Sequence, residues 1–143
     1  TITRLRNLEV PNDNISSNLL GAVGQRLIRK ICLDCKEEQK ADEELIGIFY
    51  DKPVKTKYFA GAGCSACNNT GYSGLMGVYE LFFPNKEISI AIGEGLPTSE
   101  IKELAIKHGF IPLIEDALEK VHQGETTLEE VARRIGPKYP HAK

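Results

Sequence analysis

Cys32-Leu33-Asp34-Cys35 and Cys64-Ser65-Ala66-Cys67 hold all four cysteines of this 143-residue chain. A C-x2-C hook presents two thiolates at one end of a tight turn, close enough to share one metal ion. Two hooks supply the four soft sulfur ligands of a closed tetrahedral zinc site. The second hook runs on as Asn68-Asn69-Thr70-Gly71-Tyr72-Ser73-Gly74. This is a run of turn formers whose glycines can take the positive φ angles a metal knuckle needs. Cys32, Cys35, Cys64 and Cys67 are therefore the expected ligands of one structural Zn2+. The competing reading is a disulfide or redox pair, and a thioredoxin-like C-x-x-C needs a βαβ context that is absent around these hooks. A catalytic zinc keeps an open fourth position, and four thiolates close it.

The remaining composition is that of a soluble globular chain, with 41% hydrophobic and 27% charged residues. No apolar run is long enough to cross a bilayer. The opening Thr1-Ile2-Thr3-Arg4-Leu5-Arg6 lacks the apolar core of a signal peptide. A cytosolic setting is expected, where thiols stay reduced and paired hooks favour metal over disulfides. The formal net charge is −2, and four thiolates with one dication bring it to about −4. Neither value suggests a nucleic-acid binder, whose affinity rests on a basic footprint. There is no initiator Met, and Met76 is the only methionine. Residues 1–10 read as part of a short helix with nothing before it to pack against, so an excised piece of a longer protein is expected.

Working outward from the hooks, Ile2, Leu5 and Leu8 form one face of a short helix that Pro11-Asn12-Asp13-Asn14 breaks. Leu20, Val23, Leu27 and Ile31 fall near the i, i+3, i+7 spacing of a buried stripe and predict a helix over roughly 16–31. Asn14 or Ser16 is placed to cap it. Gly21 and Gly24 each cost that helix about 1 kcal/mol relative to Ala, and their spacing suggests close approach by another element. Between the hooks, residues 41–49 read as a short helix with an acidic first turn, ended by Asp51-Lys52-Pro53. Lys57-Tyr58-Phe59-Ala60 reads as a strand, paired across the metal with a second strand, Gly77-Val78-Tyr79-Glu80-Leu81-Phe82-Phe83. The rest is helical. One segment runs from about 85 to 92 with Ile88 and Ile92 inward. A second, capped by Thr98 or Ser99, turns Ile101, Leu104 and Ala105 inward and ends at Gly109. A third carries Ile114, Ala117, Leu118 and Val121 and stops at Gly124. Thr126 and Glu129 form a capping box for the last, with Leu128, Val131, Ala132 and Ile135 as its stripe. Residues 138–143 are expected to be loose.

Other residues with chemical potential have simpler readings. His108, His122 and His141 lie near helix ends or in the tail and read as surface or helix-capping side chains. Arg26, Arg29, Lys30 and Lys36 form a basic cluster. It could meet a phosphate, an acidic partner or lipid headgroups, but local compensation of the zinc–thiolate centre and of the helix dipole is the favoured reading. Asn14-Ile15-Ser16 and Asn68-Asn69-Thr70 match glycosylation sequons, which a reduced cytosolic zinc protein does not expose to that machinery. A G-x4-G-K-[ST] phosphate loop, a nucleophile elbow and an H-E-x-x-H motif are all missing from the chain.

The spelling of four segments is more specific than their composition. Residues 15–32, Ile15-Ser16-Ser17 leading through Gln25-Arg26-Leu27 to Cys32, resemble the segment that follows the nucleotide site in the type II secretion and type IV pilus assembly ATPases. Cys64-x-x-Cys67-Asn68-x-Thr70-Gly71-Tyr72-x-Gly74-x-x-Gly77-x-Tyr79-Glu80-Leu81 resembles that family's second hook and following strand. Gly124-x-Thr126-Thr127-Leu128-Glu129-Glu130-Val131 resembles its closing helix, and Thr1–Arg6 the helix after its histidine box. Three positions depart from the family's usual pattern. Leu33 stands where Pro is usual, Leu75 where Arg is usual and Ala117 where Gly is usual. None is a metal ligand, though Leu75 puts in doubt any surface contact made by that Arg.

The resemblance implies a parent that is a hexameric RecA-like ATPase at the cytoplasmic face of the inner membrane. Its ATP turnover, with Mg2+, would drive pseudopilus or pilus assembly through a membrane platform protein. The phosphate loop and histidine box would lie upstream of Thr1, so this piece should be inactive alone. Its partners would be neighbouring subunits of a homohexamer and the platform and assembly proteins, with no nucleic acid. Whether Gln25 and Arg26 face the parent's nucleotide is left open by the residues themselves. The expected fold is α+β and mostly helical. Residues 1–31 would form the C-terminal edge of a RecA-like domain, 32–83 a tetracysteine zinc module with a short β-hairpin, 84–136 a C-terminal helical bundle, and 137–143 a tail. A stand-alone zinc-ribbon adaptor that binds nucleic acid or protein is the alternative.

Overall fold

The computed structural model describes residues 1–40, 42–50 and 56–136. The expected tail, and the stop at Asp51-Lys52-Pro53, lie outside them. In chain order the elements are α1 (Ile2–Asn7), α2 (Asn12–Asn18), β1 (Ala22–Ile31), β2 (Lys36–Gln39), α3 (Glu43–Phe49), β3 (Tyr58–Gly61), β4 (Tyr72–Phe82), α4 (Lys86–Gly93), α5 (Thr98–Lys107), α6 (Leu113–His122) and α7 (Leu128–Arg134). The class is mixed α/β. Two small antiparallel sheets pair β1 with β4 and β2 with β3. No helix among the described residues is long and apolar enough to cross a membrane.

The chief correction falls on residues 16–31, which do not form one helix. Helix α2 begins after Pro11 and ends at Asn18, and Ala22–Ile31 is a ten-residue strand. The helical spacing of Leu20, Val23, Leu27 and Ile31 is a coincidence of composition. In the structure Leu20 is 89% exposed, and Val23 and Leu27 are also exposed, while Ile31 is buried. Tertiary pairing with β4 overrides the local pattern. The two glycines do mark a close approach, made in a strand rather than a helix. A Cβ on Gly21 would stand 2.8 Å from the Phe83 ring, and one on Gly24 would stand 2.6 Å from Glu80 Cγ.

The second correction concerns strand partners. Tyr58–Gly61 and the strand ending at Phe82 both exist, but they do not pair. β3 instead joins β2, with Lys36 opposite Gly61 and Gln39 opposite Tyr58. β4 instead takes β1, the other long strand, of ten residues against its own eleven.

Residues Thr1–Gly24 and Glu80–Pro112 form one compact unit; Gln25–Tyr79 and the described residues from Leu113 onward form the other. The first unit's core is Ile2, Ile15, Ile88, Ala91, Ile92, Ile101 and Ala105. The second unit's core gathers Ile28, Phe49, Val78, Ala117, Leu118, Val121, Leu128 and Val131. The stripes read on α4 to α7 are thus the ones buried. Ala117 is fully buried, so its methyl group is accommodated where the resembling family usually has none.

Cap positions shift by a residue or so. Asn85 caps α4 through its side chain and Asp42 caps α3. Helix α5 starts behind Pro97 with no side-chain cap, because Thr98 is already helical and shares a 3.0 Å hydrogen bond with Thr3. The last helix is capped by Thr127, which accepts from the Glu130 N–H at 3.2 Å. Thr126 instead donates to the Arg29 carbonyl at 2.9 Å. Glu129 has no place in that cap, since the residue three beyond Thr127 is Glu130.

Glu130 does something else. Its side chain is fully buried and pairs with Arg29 of β1 at 2.7 Å and with Arg133 at 2.7 Å. The Arg29 backbone N–H donates to it as well, at 3.1 Å. Burial alone would raise its pKa. The hydrogen bonds from Arg29 and Arg133 outweigh that and hold it at about 2. A carboxyl depressed from an ordinary 4.5 stabilises the fold fully above that value and loses its contribution as pH falls through about 2. The shift corresponds to about 3 kcal/mol. We predict that Glu130→Gln lowers unfolding free energy by about 2–3 kcal/mol at neutral pH. The gap to the wild type should close between pH 4.5 and 2, as followed by denaturant unfolding across pH. A gap constant over that range would show that the carboxylate is not the stabilising group.

Candidate metal centre

Each hook closes on a single 3₁₀ turn, Leu33–Cys35 in the first and Ser65–Cys67 in the second. The first follows directly on strand β1, not on a helix as the spacing suggested. After the second, Asn68 and Asn69 sit at φ 51° and 58°, and Gly71 at 74°. Asparagine and glycine are the residues that tolerate this left-handed backbone. Thr70 fastens the turn by donating to the Cys67 carbonyl at 2.6 Å.

These turns bring all four sulfurs within 4.8 Å of one another. Cys32 and Cys64 Sγ are 3.9 Å apart, Cys35 and Cys67 3.9 Å, and Cys64 and Cys67 3.8 Å. A disulfide needs about 2.05 Å, and all four cysteines are free. A tetrahedron built on a Zn–S bond of about 2.3 Å has edges of about 3.8 Å. The donor set and its spacing therefore fit one tetrahedrally held divalent ion, with no vacant corner for a substrate.

The backbone around the sulfurs is arranged for negative charge. Gly63 N–H points at Cys35 Sγ, and the Cys64 and Gly71 N–H groups point at Cys67 Sγ, each at 3.3 Å. The Cys64 and Gly71 donors hold the Cys67 thiol at about 6, against the opposing effect of burial. Burial pushes Cys35 up to about 12 and raises Cys32. The N–H groups thus favour the thiolate at Cys67 while burial opposes it at Cys32 and Cys35, and a bound cation would favour the thiolate at each sulfur.

One residue joins the two hooks through its backbone. Gly71 donates its N–H to Cys67 Sγ and accepts the Cys32 N–H at 2.9 Å on its carbonyl. A second link runs from the Ala62 N–H to the Cys35 carbonyl, also 2.9 Å. Gly61 and Gly71 lie backbone against backbone, and a Cβ on Gly61 would stand 2.6 Å from Gly71 Cα. The turn-forming role of Gly71 is legible in the sequence; the demand on Gly61 is not, because it arises from a neighbour ten residues away.

The other candidates fall elsewhere. His108 ends α5 and bonds Glu87 at 2.8 Å; His122 ends α6 and bonds the Tyr50 hydroxyl at 2.8 Å. His141 lies outside the described residues. The basic cluster is not gathered on the sulfurs: Arg29 pairs with Glu130 and stacks 3.9 Å over the Tyr72 ring, and Lys36 lies 4.6 Å over Phe59. The part of the reading that used a helix dipole falls with the helix. Gln25 bonds the Tyr79 hydroxyl at 3.3 Å, and Arg26 donates to the Gln25 carbonyl at 3.1 Å. The Arg29–Glu130 anchor was missed, since the two residues are 101 positions apart and carry no shared motif.

A mixed α/β chain whose two cysteine hooks sit on short turns beside strands and gather four sulfurs defines a candidate metal-knuckle protein. The family described as "Type II/IV secretion system protein" matches residues 1–133, and the chain belongs to it. The chain is 42% identical over 136 residues to a type IV pilus assembly ATPase, PilB, of Thermus thermophilus, covering 93% of this chain and 15% of that protein. It is 40% identical over 137 residues to type II secretion system ATPase E of Vibrio cholerae, covering 92% of this chain and 26% of that protein. A putative type II secretion system protein E of Escherichia coli is 31% identical over 133 residues, covering 92% and 27%. The chain thus spans about a quarter or less of these relatives.

Because Gly61 must pass against Gly71 with no side chain, Gly61→Ala should force the hooks apart. We predict a loss of several kcal/mol in stability and a metal content well below that of the wild type. Both are measured on the same preparation, by thermal melting and elemental analysis. A variant that melts and loads like the wild type would show that the approach is not constrained.

Proposed function

We propose that this chain is the zinc-binding C-terminal region of a secretion or pilus-assembly ATPase, and that its own role is structural. The observation that carries the reading is the closed cluster of four sulfurs in a chain of the type II/IV secretion family. Cys32, Cys35, Cys64 and Cys67 would hold one Zn2+. The ion would supply a cross-link between the hooks and neutralise two of the four thiolate charges. The remaining charge meets the N–H groups already aimed at Cys35 and Cys67. Four sulfurs leave the metal no site for water or substrate, so it would fix structure and do no chemistry.

In this reading residues 1–31 belong to the C-terminal edge of a RecA-like domain, 32–83 to the zinc module, 84–136 to a C-terminal helical region and 137–143 to a tail. The parent would be a cytoplasmic homohexamer, peripheral to the inner membrane through its partners, that binds ATP and Mg2+ with residues outside this chain. The chain alone would not hydrolyse ATP. Its partners would be neighbouring subunits and the platform and assembly proteins of a pilus or secretion machine. Names among the relatives divide between pilus assembly and type II secretion, and the shared class is what comes to this chain. Family membership weighs against a stand-alone adaptor for nucleic acid.

Elemental analysis of freshly purified, reduced protein should return one zinc per chain, and a metal-free result would overturn the assignment. Cys64→Ser should weaken zinc binding by orders of magnitude and lower the melting temperature. It should also speed amide exchange in the hook-bearing segments within residues 32–83. If the mutant melted like the wild type, the metal would not be what holds the module together.

A further inference from the structure

Helices α4 and α5 present the same spacing along one groove. On α4 the lining positions are Glu87, Ile90, Ala91 and Glu94; on α5 they are Glu100, Glu103, Leu104 and Lys107. Both sets are i, i+3, i+4, i+7, the positions that share one helix face. The space between them is an open groove of about 390 Å³. Its floor is apolar, formed by Ala91 and the half-buried Leu104, with Ile90 left 51% exposed. Its rim carries four glutamates against a single lysine, and of the four Glu87 also bonds His108 at 2.8 Å.

Two of these residues stand where helix stability does not want them. Glu87 and Glu100 lie in the first turns of their helices, where the dipole welcomes a carboxylate. Glu94 lies at the C-cap of α4, where the dipole opposes one. Ile90 turns a large aliphatic side chain to solvent between Ile88 and Ile92, which are both buried. An apolar floor rimmed by one sign of charge is complementary to an apolar stripe flanked by the other sign.

We propose that this groove is a docking site for a basic amphipathic helix of another protein. The apolar stripe of that helix would cover Ile90 and Leu104, and its lysines or arginines would reach Glu94 and Glu103. A second copy of this chain fits less well, since three of the four arginines on its described helices are already engaged. Arg6 of α1 bonds Asn12 and the Leu96 and Ile92 carbonyls, and Arg133 and Arg134 of α7 are held by Glu130. The groove lies wholly within the unit formed by Thr1–Gly24 and Glu80–Pro112, and the cysteines lie in the other. The inference therefore stands apart from the metal assignment.

The test uses a designed helical peptide with leucines at i, i+3, i+4 and i+7 flanked by lysines and arginines, and a counterpart with glutamates in place of the basic residues. Fluorescence anisotropy is read at about 150 mM salt. The basic peptide should bind the chain saturably, and the acidic one should not. Glu94→Lys with Glu103→Lys should weaken binding at least about tenfold, and Ile90→Ser should weaken it in the same direction. All three positions are exposed, so zinc content and melting should match the wild type. Absence of saturation, equal binding of the two peptides, or indifference to charge reversal would overturn the proposal. In the full-length parent, a photo-crosslinking benzoylphenylalanine at position 90 should join to a basic helical segment of a different protein and lose that product on charge reversal. A crosslink only to the parent's own chain, or only to a second copy, would overturn it.

Discussion

Four sulfurs within 4.8 Å of one another are the constraint on which the surrounding backbone depends. Thiol groups have no reason to crowd on their own account, since each is a weak donor and weak acceptor and each thiolate repels its neighbours. The crowding is imposed by two short turns and stabilised by N–H groups that face sulfur rather than carbonyl oxygen. Every one of those donors belongs to a loop that would otherwise leave it unpaired. Positive φ at Asn68, Asn69, Gly63 and Gly71 is what aims them. The chain thus accepts strained backbone here for the sake of a ligand-ready pocket of sulfur.

The hooks are also joined without the metal. The Gly71 backbone bridges Cys67 and Cys32, and the β2–β3 ladder holds the first hook against the approach to the second. Both devices need the backbones of Gly61 and Gly71 in contact, which only glycine permits. The sheet therefore sets the spacing and the ion would lock it.

What was legible in the sequence follows the range of the interactions. The gathering of the four sulfurs was legible because each hook is local: the two-residue spacing within it is covalent and survives any error about the flanking elements. The stripes of α4 to α7 were legible because their helical periodicity runs between glycine and proline breaks and does not depend on which residue forms each cap. Residues 16–31 were not, because Leu20, Val23, Leu27 and Ile31 imitate a helical stripe while strand pairing with β4 decides the outcome. Gly21 and Gly24 carried the opposing signal, and it was read as helix packing rather than as a strand passing beneath Phe83 and Glu80. The strand pairing itself, and the Arg29–Glu130 anchor across 101 positions, depend on which distant residues meet. No periodicity encodes that.

The anchor gives the closing helix a direct connection to the cysteine hooks. Strand β1 ends at Ile31, whose N–H donates to the Glu125 carbonyl at 2.9 Å. Two residues earlier, Arg29 gives its carbonyl to Thr126 and its guanidinium to Glu130. From the other hook, the Tyr72 hydroxyl shares a 2.8 Å hydrogen bond with Thr127, the cap of α7. The residues just before Cys32 and just after Gly71 are therefore both tied to the turn and first residues of one helix. A buried carboxylate is a costly way to make such a joint if stability were the only aim, since an apolar contact of the same size would serve. What the ion pair adds is direction: Glu130 accepts from both the backbone and the side chain of Arg29, so strand and helix meet in one register. Registering α7 on β1 in turn fixes where Cys32 begins its turn. The C-terminal helix thus belongs to the architecture of the cysteine cluster although it contributes no sulfur.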